Sequence, residues 1–135
     1  MRQVFTYEEV VRTFLPWENV IYSFVVQDTE GNITDFFSFY NLPSQILKSD
    51  KHTELRAAYC YYFVPKAHTV EQLMADALVI AKQENFDVFN CLDISNNAGF
   101  LENLKFGPGD GNLHYYLYNW RAEDLQTKDI GIILV

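Results

Sequence analysis

A sharp glycine-rich turn, Lys105-Phe106-Gly107-Pro108-Gly109-Asp110-Gly111-Asn112, is the part of the sequence best suited to contact a ligand. Glycine adopts positive φ without steric cost and lets another backbone approach closely. Asp110 stands alone between two of these glycines. A carboxylate at such a position can simply cap the turn. An aromatic string at 115–120, Tyr-Tyr-Leu-Tyr-Asn-Trp, follows closely.

Other catalytic patterns are weak, and the end of the chain is the exception. The three histidines, His52, His68 and His114, form no Ser–His or Cys–His arrangement, and no cluster has metal-ligand spacing. Residues 131–135, Gly-Ile-Ile-Leu-Val, are apolar up to the last one. A terminal carboxylate drawn into low dielectric must be paired or used. A plain edge strand that ends at the surface is the alternative, and the residues alone leave both open.

The elements that would position these residues alternate between helix and strand. Thr6 and Glu9 form a capping-box pattern, which predicts a short helix that ends at Pro16. Runs of β-branched and aromatic residues predict three strands, at 20–28, 33–40 and 55–64. The polar stretch at 45–54 is predicted to be a surface loop or a short frayed helix.

The second half of the chain continues the alternation. Thr69 and Gln72 form another capping box, and the apolar spacing that follows predicts a helix at about 70–85. A short strand, a short helix and two strands are predicted after it, at 88–92, 97–104, 113–120 and 130–134. The element order predicts an α/β (α+β) domain with a mixed, twisted sheet and helices packed on it. Strand alternation makes most tyrosines core or half-buried, so we assign no catalytic role to Tyr40, Tyr59, Tyr61, Tyr115 or Tyr118.

Composition restricts the class of protein. A chain of 135 residues fits one domain, and a net charge of −8 argues against nucleic-acid or anionic-membrane surfaces. An acidic face could attract a basic peptide, although solubility alone explains the charge. Cys60 and Cys91 lie in apolar runs and are predicted to be buried, reduced thiols. No run approaches the ~20 apolar residues of a membrane span, and the first residues of the sequence show no positive-then-apolar signal pattern, so we expect a cytoplasmic protein.

Seven segments occur in the order and spacing of one known family, beginning with Pro-Trp-Glu-Asn-Val at 16–20 and Thr-Asp-Phe-Phe-Ser-Phe-Tyr with Leu-Pro-Ser at 34–44. The others lie at 55–59, 73–78, 86–93, 100–102 and 105–120. In these segments the chain resembles the N-myristoyltransferases, which acylate N-terminal glycines, from about Glu8 to Val135. The stretch at 95–99 departs from the usual pattern before Phe100.

The resemblance implies a fold of two GNAT-like halves related by a pseudo-twofold. The N-terminal half holds myristoyl-CoA and an oxyanion hole, whereas the C-terminal half builds much of the peptide groove. Residues 1–135 are similar to the second half alone, as a single domain, so the isolated chain is expected to be inactive without the first. The implied co-substrate is myristoyl-CoA, with no tightly bound cofactor and no metal. The implied partners are proteins that begin with glycine and the N-terminal half of the same enzyme.

The resemblance also assigns site residues. The general base is the chain's own terminal carboxylate, carried here by Val135. Peptide-contacting roles fall on five positions, Ser38, Asn90, Asp110, Gly111 and Leu134. Their alternatives are satisfied polar groups for Ser38 and Asn90 and a turn cap for Asp110.

Three hypotheses for function follow. The first is the C-terminal, peptide-binding part of a glycylpeptide N-tetradecanoyltransferase. The second is a peptide-binding module without catalysis, and the third is a self-sufficient, divergent GNAT-like acyltransferase that dimerises. The 70–85 helix opens with Ala67-His68-Thr69 rather than with a glycine-rich turn suited to pyrophosphate, which disfavours acyl-CoA binding by this domain.

Overall fold

The computed structural model describes residues 1–47, 50–109 and 111–133. Three helices and six strands make up this part of the chain, in the order α1 (Tyr7–Phe14), β1 (Ile21–Gln27), β2 (Ile33–Asn41), β3 (Ser44–Gln45), β4 (Glu54–Leu55), β5 (Ala57–Val64), α2 (Val70–Gln83), β6 (Val88–Asn90) and α3 (Ala98–Leu101), followed by a 3-10 turn at Thr127–Asp129. None of these helices has the length and apolar character needed to cross a bilayer.

A mixed four-stranded sheet forms the centre of the domain, in the order β1-β2-β5-β6. The first two pairings are antiparallel, whereas β5 and β6 run parallel and are joined through α2. Parallel neighbours require such a crossover, and its helix covers one face of the sheet. The predicted α/β (α+β) class with a mixed sheet and packed helices is confirmed.

The α2 side of the sheet is the buried core. The predicted capping box is present. The Thr69 hydroxyl accepts a hydrogen bond from the Gln72 backbone amide, and the Gln72 side chain accepts one from the Thr69 backbone amide. One side of α2 then packs against one face of the sheet, to which β2 contributes odd-numbered residues and β5 contributes even-numbered residues. The buried cluster is Phe37, Phe39, Ala58, Cys60, Leu73, Met74, Ala77, Ala81, Phe86 and Phe100. Each fully buried large apolar side chain stabilises the fold by about 1.5–3 kcal/mol.

Helix α1 lies on the opposite face. Its capping box also forms, with Thr6 and Glu9 satisfying each other's amides. Phe14, at its last turn, contacts the rings of Phe36, Tyr61 and Tyr62, each with centroids 5.5 Å apart. Two consecutive strand residues, Tyr61 and Tyr62, therefore reach one ring on the same side of the sheet, which a regular strand does not permit.

A β-bulge explains this departure. The β2–β5 register shifts so that one β2 residue, Ser38, lies opposite two β5 residues, Tyr61 and Tyr62. A bulge of this kind bends the strand and re-aims a side chain.

Two predicted strands are wrong. Residues 113–120 form no strand, and the Tyr116, Tyr118 and Trp120 side chains are 87%, 97% and 75% exposed. Of the predicted strand at 130–134, Gly131 makes a single parallel bridge to Arg2, and Leu134 lies outside the described residues. Aromatic and β-branched residues favour strands only where a neighbouring strand supplies hydrogen bonds, and the sheet ends at the three-residue β6. The stretch predicted as a loop at 45–54 is closed at its ends by a two-residue ladder between β3 and β4, and its residues 48 and 49 lie outside the described residues.

A buried carboxylate fixes the start of α2. Asp35 is 1% exposed, and its Oδ1 accepts hydrogen bonds from the amides of Lys66, Ala67 and His68 at 2.8–3.0 Å. Its Oδ2 lies 2.9 Å from Nδ1 of the His68 ring. Burial raises the pKa of Asp35, but the hydrogen bonds from the His68 ring and from the 66–68 turn outweigh burial and hold the pKa well below its usual range.

This carboxylate makes stability pH-dependent. Because the folded pKa of Asp35 is lowered, its stabilisation is present above the unfolded pKa of about 3.9 and is lost as pH falls towards the folded value. We expect Asp35→Asn to lower the thermal midpoint at pH 7, and the gap from wild type to narrow below about pH 4. Asp76→Asn on the exposed face of α2 makes the same charge change and should leave the midpoint nearly unchanged. A gap that stays constant from pH 7 to pH 3 would contradict the assignment.

Candidate functional site

A cleft of about 1100 Å³ opens beyond the carboxyl end of β6. It is lined by the end of that strand, the loop at 91–94, the residues after α3, the glycine-rich turn, Tyr115 and Ile130. Clefts at the carboxyl ends of parallel strands are favoured binding positions in α/β folds. Two residues assigned to the peptide groove by resemblance, Asn90 and Gly111, both line this cleft.

Asn90 is the last residue of β6, in parallel register with Tyr59 of β5. Pairing with β5 fixes its backbone, and the side chain is half-buried at the cleft wall. An asparagine amide offers two donors and one carbonyl acceptor. Asn90 can therefore present both kinds of hydrogen-bonding group to an extended ligand.

The glycine-rich turn forms the opposite wall through Gly107, Gly109 and Gly111. The expected positive φ is not found at these three glycines, whereas Lys105 just before them has φ 64°. A Cβ atom at any of the three would meet nothing within 4 Å. Their lack of side chains therefore keeps the cleft wall open instead of relieving backbone strain. Asp110 lies outside the described residues.

Ser38 lies elsewhere, inside the sheet. It is 2% exposed, and its hydroxyl donates to the Tyr62 carbonyl at 2.8 Å and accepts from the Tyr62 amide at 3.2 Å. These two bonds satisfy the backbone groups that the bulge removes from the ladder. The structure thus brings Asn90 and Gly111 together and assigns the Ser38 hydroxyl to the fold.

The last described residues separate the large cleft from a second one. Ile130 lines the large cleft, whereas Gly131 and Ile133 line an aromatic cleft of about 660 Å³ beneath α1. The Gly131 amide donates to the Met1 carbonyl at 2.8 Å, which ties this segment to the start of the chain. Leu134 and Val135, assigned to the groove and to the base, lie outside the described residues.

Two residues that the sequence did not single out help to shape these clefts. Tyr62 accepts the Ile133 amide on its hydroxyl at 3.1 Å, a contact that depends on an unpredicted bulge. Asn97 is 4% exposed and donates from Nδ2 to the Leu92 carbonyl at 2.8 Å and towards the Cys91 sulfur at 3.3 Å, which fixes the loop after β6. A polar residue at the start of a short helix was the only available signal for Asn97.

Cys91 lines the large cleft, and Cys60 lies in the buried core within hydrogen-bonding reach of it. Both are free thiols, with Cys60 buried, as predicted, and Cys91 half-buried. A hydrogen bond with Cys91, and then burial, raise the pKa of the Cys60 thiol well above its usual range. Cys60 is therefore a packing residue and a poor nucleophile.

Comparison with known proteins gives one consistent result. Residues 1–132 match the family described as "Myristoyl-CoA:protein N-myristoyltransferase, C-terminal domain". The chain is 50% identical over 127 residues to glycylpeptide N-tetradecanoyltransferase 2 of Bos taurus, covering 94% of the chain and 26% of that protein. It is 49% identical to the Danio rerio protein of the same name, covering 99% of the chain and 27% of the relative. The chain thus spans about a quarter of the length of these curated relatives.

Solved structures agree. The crystal structure of Saccharomyces cerevisiae N-myristoyltransferase with bound myristoyl-CoA superposes with a TM-score of 0.76 at 40% identity, covering 82% of this chain and 32% of that one. A Trypanosoma brucei acetyltransferase superposes with a TM-score of 0.55 at 15% identity, over 74% of this chain and 71% of that one, a likeness of fold alone. The predicted GNAT-like fold is confirmed.

The bulge contact gives a stability prediction with an internal control. Ser38→Ala leaves the Tyr62 amide and carbonyl without their partner, so we expect a loss of about 1–3 kcal/mol in the free energy of unfolding by urea. Ser23 pairs with Ser38 across β1 and β2, and its buried hydroxyl bonds to no described residue. Ser23→Ala should therefore be neutral or slightly stabilising. Equal losses in the two variants would contradict the role given to Ser38.

Proposed function

Because this chain belongs to the myristoyl-CoA:protein N-myristoyltransferase family, as its C-terminal domain, we propose that it is the peptide-binding part of a glycylpeptide N-tetradecanoyltransferase. The complete enzyme would transfer myristate from myristoyl-CoA to the N-terminal glycine amine of proteins. The observation that carries the proposal is the family match over almost the whole chain, combined with a cleft that gathers Asn90, Gly111 and the approach to the chain end.

The peptide lies in the large cleft in this proposal. Asn90 offers its amide from one wall, while Gly111 lets the peptide backbone approach the other. Asp110, between two glycines that line the cleft, accepts from a downstream lysine of the substrate. Ser38 contributes indirectly, because its hydroxyl maintains the bulge at Tyr62. Leu134 lines the groove near the terminal carboxylate of Val135.

The reaction needs a base. An α-amino group has a pKa of about 7.7–8.0, so at neutral pH it arrives mainly as ammonium. We assign proton removal to the α-carboxylate of Val135. The freed amine attacks the thioester carbonyl, a C–N bond forms and the C–S bond breaks. The second proton that the nitrogen must lose passes to the departing CoA thiolate, which leaves as the thiol. In support, Ile130 lines the large cleft while Gly131 and Ile133 line the aromatic cleft, and Ile133 is two positions before Val135.

Myristoyl-CoA is proposed to bind mainly to another part of the enzyme, the N-terminal half. The amides of residues 66–68 at the start of α2, a position suited to pyrophosphate, already donate to the internal carboxylate of Asp35. This contact disfavours a self-sufficient acyltransferase. The exposed rings of Tyr116, Tyr118 and Trp120 support a further partner surface, which we assign to the same N-terminal half.

The wider biology follows from the same proposal. Partners are proteins that begin with glycine, and the net charge of −8 suits basic peptides better than nucleic acid. The two free thiols are typical of a reducing compartment, which supports a cytoplasmic location.

The terminal base is tested by extension. In a complete enzyme that carries this chain as its C-terminal domain, a few residues added after Val135 should lower turnover at least about 100-fold, because a general base contributes 10²–10⁴. The thermal midpoint and peptide binding should survive. The same residues added at the N-terminus are the control. Full turnover in the extended enzyme would rule out the terminal carboxylate.

The contact of Asp110 is tested by substrate choice. Asp110→Asn should weaken a peptide with a downstream lysine by about tenfold, since a hydrogen bond between charged groups is worth about 1.5–3 kcal/mol. A peptide with leucine in place of that lysine should change little. Asp124→Asn, an exposed acid that does not line the cleft, controls for net charge. The contact is refuted by equal losses for both peptides, measured by calorimetry.

A further inference from the structure

One peptide group near the end of the chain is bonded at both of its edges. The Tyr115 hydroxyl donates to the Ile132 carbonyl at 2.7 Å, and the Ile133 amide donates to the Tyr62 hydroxyl at 3.1 Å. That carbonyl and that amide belong to the same peptide group. Because they point in opposite directions across a trans peptide, the two phenols lie on opposite sides of the chain.

The two phenols belong to separate parts of the fold. Tyr62 extends from β5 at the bulge, and its ring packs edge-on against Phe5 and Phe14. Its hydroxyl, having accepted the Ile133 amide, donates to Oε1 of Gln3 at 3.4 Å. Tyr115 comes from the segment after the glycine-rich turn and lines the large cleft. The peptide group is thus fixed between the sheet and the cleft wall.

We propose that Tyr62 and Tyr115 form a clamp that orients the chain end for catalysis. The inference rests on the proposed role of Val135. Three residues lie between the 132–133 peptide group and the carboxylate and span at most about 10–11 Å, so fixing that peptide group limits the region that the carboxylate can reach. A 1 Å misplacement of a catalytic group can cost about 10²-fold in rate. Both tyrosines are positioning residues, because they act through the backbone of the tail.

The electrostatics suit a neutral clamp. Burial, and then the neighbouring Tyr62, raise the pKa of Tyr115, so its phenol keeps its proton and remains a donor at neutral pH. A donor is needed there, since the Ile132 carbonyl can only accept. The Tyr62 hydroxyl instead accepts a hydrogen bond from the Ile133 amide, whereas the Tyr115 hydroxyl donates one to the Ile132 carbonyl.

The first experiment removes single hydroxyls in the complete enzyme. Tyr62→Phe and Tyr115→Phe keep the rings, and each should lower kcat about tenfold while KM for myristoyl-CoA changes less than twofold. Tyr61→Phe is the matched control, because the Tyr61 ring packs beside Tyr62 and its hydroxyl makes no hydrogen bond to the described tail residues 130–133. Wild-type kcat in both clamp variants would overturn the proposal, as would an equal loss in Tyr61→Phe.

The double variant tests whether the two contacts act on one peptide group. If they do, Tyr62→Phe/Tyr115→Phe should lose less than the product of the single losses, since the second removal acts on a group already released. Losses that simply multiply would mean two independent effects and would overturn the clamp.

Hydrogen exchange separates the clamp from the proposed base. The Ile133 amide should exchange several-fold faster in Tyr62→Phe than in wild type, and at the wild-type rate in Tyr61→Phe. Unchanged exchange in Tyr62→Phe overturns the clamp even if extension after Val135 abolishes turnover. If the Ile133 amide exchanges faster in Tyr62→Phe but extension after Val135 leaves turnover unchanged, the clamp is supported and the terminal base is refuted.

Discussion

The pair of hydrogen bonds between the Ser38 hydroxyl and the Tyr62 backbone is the contact on which the geometry of the site depends. It satisfies the two backbone groups that an extra β5 residue takes out of the ladder, and so permits the bulge. The bulge turns Tyr62 towards α1 beside Tyr61, where its hydroxyl meets the Ile133 amide. A polar residue inside the sheet thereby determines the path of a segment almost one hundred positions later.

A second buried polar contact bears on the proposal that acyl-CoA binds outside this domain. The Asp35 carboxylate accepts hydrogen bonds from the amides of residues 66–68, in the turn that leads into α2, and many α/β folds hold phosphate at such a turn. The domain thus carries a GNAT-like fold in which the amides of the turn between β5 and α2 are already hydrogen-bonded to a carboxylate of the same chain. Its cleft at the end of β6 remains open, lined by an amide and by glycines. This division suits a half that receives the peptide while acyl-CoA binds elsewhere.

Local sequence signals predicted the core elements because those elements are stabilised locally. Both capping boxes, at Thr6 and Thr69, formed as their spacing indicates, and the strands predicted at 20–28, 33–40 and 55–64 pair with one another in the sheet. The strand predicted at 113–120 failed because strand propensity needs a neighbour, and β6 is too short to pair with it. Resemblance, rather than spacing, brought Asn90 and Gly111 into one site. The bulge and the tyrosine contacts depend on long-range register, which no local pattern contains.

The central claim is that the chain end reaches the substrate amine between the two clefts. It is tested most directly by a crystal structure of the complete enzyme with a glycine peptide and a non-reactive myristoyl-CoA analogue. The account predicts a Val135 carboxylate oxygen about 3 Å from the glycine nitrogen, within hydrogen-bond reach. A carboxylate beyond about 6 Å, with another side chain or bound water chain at the amine, would contradict it.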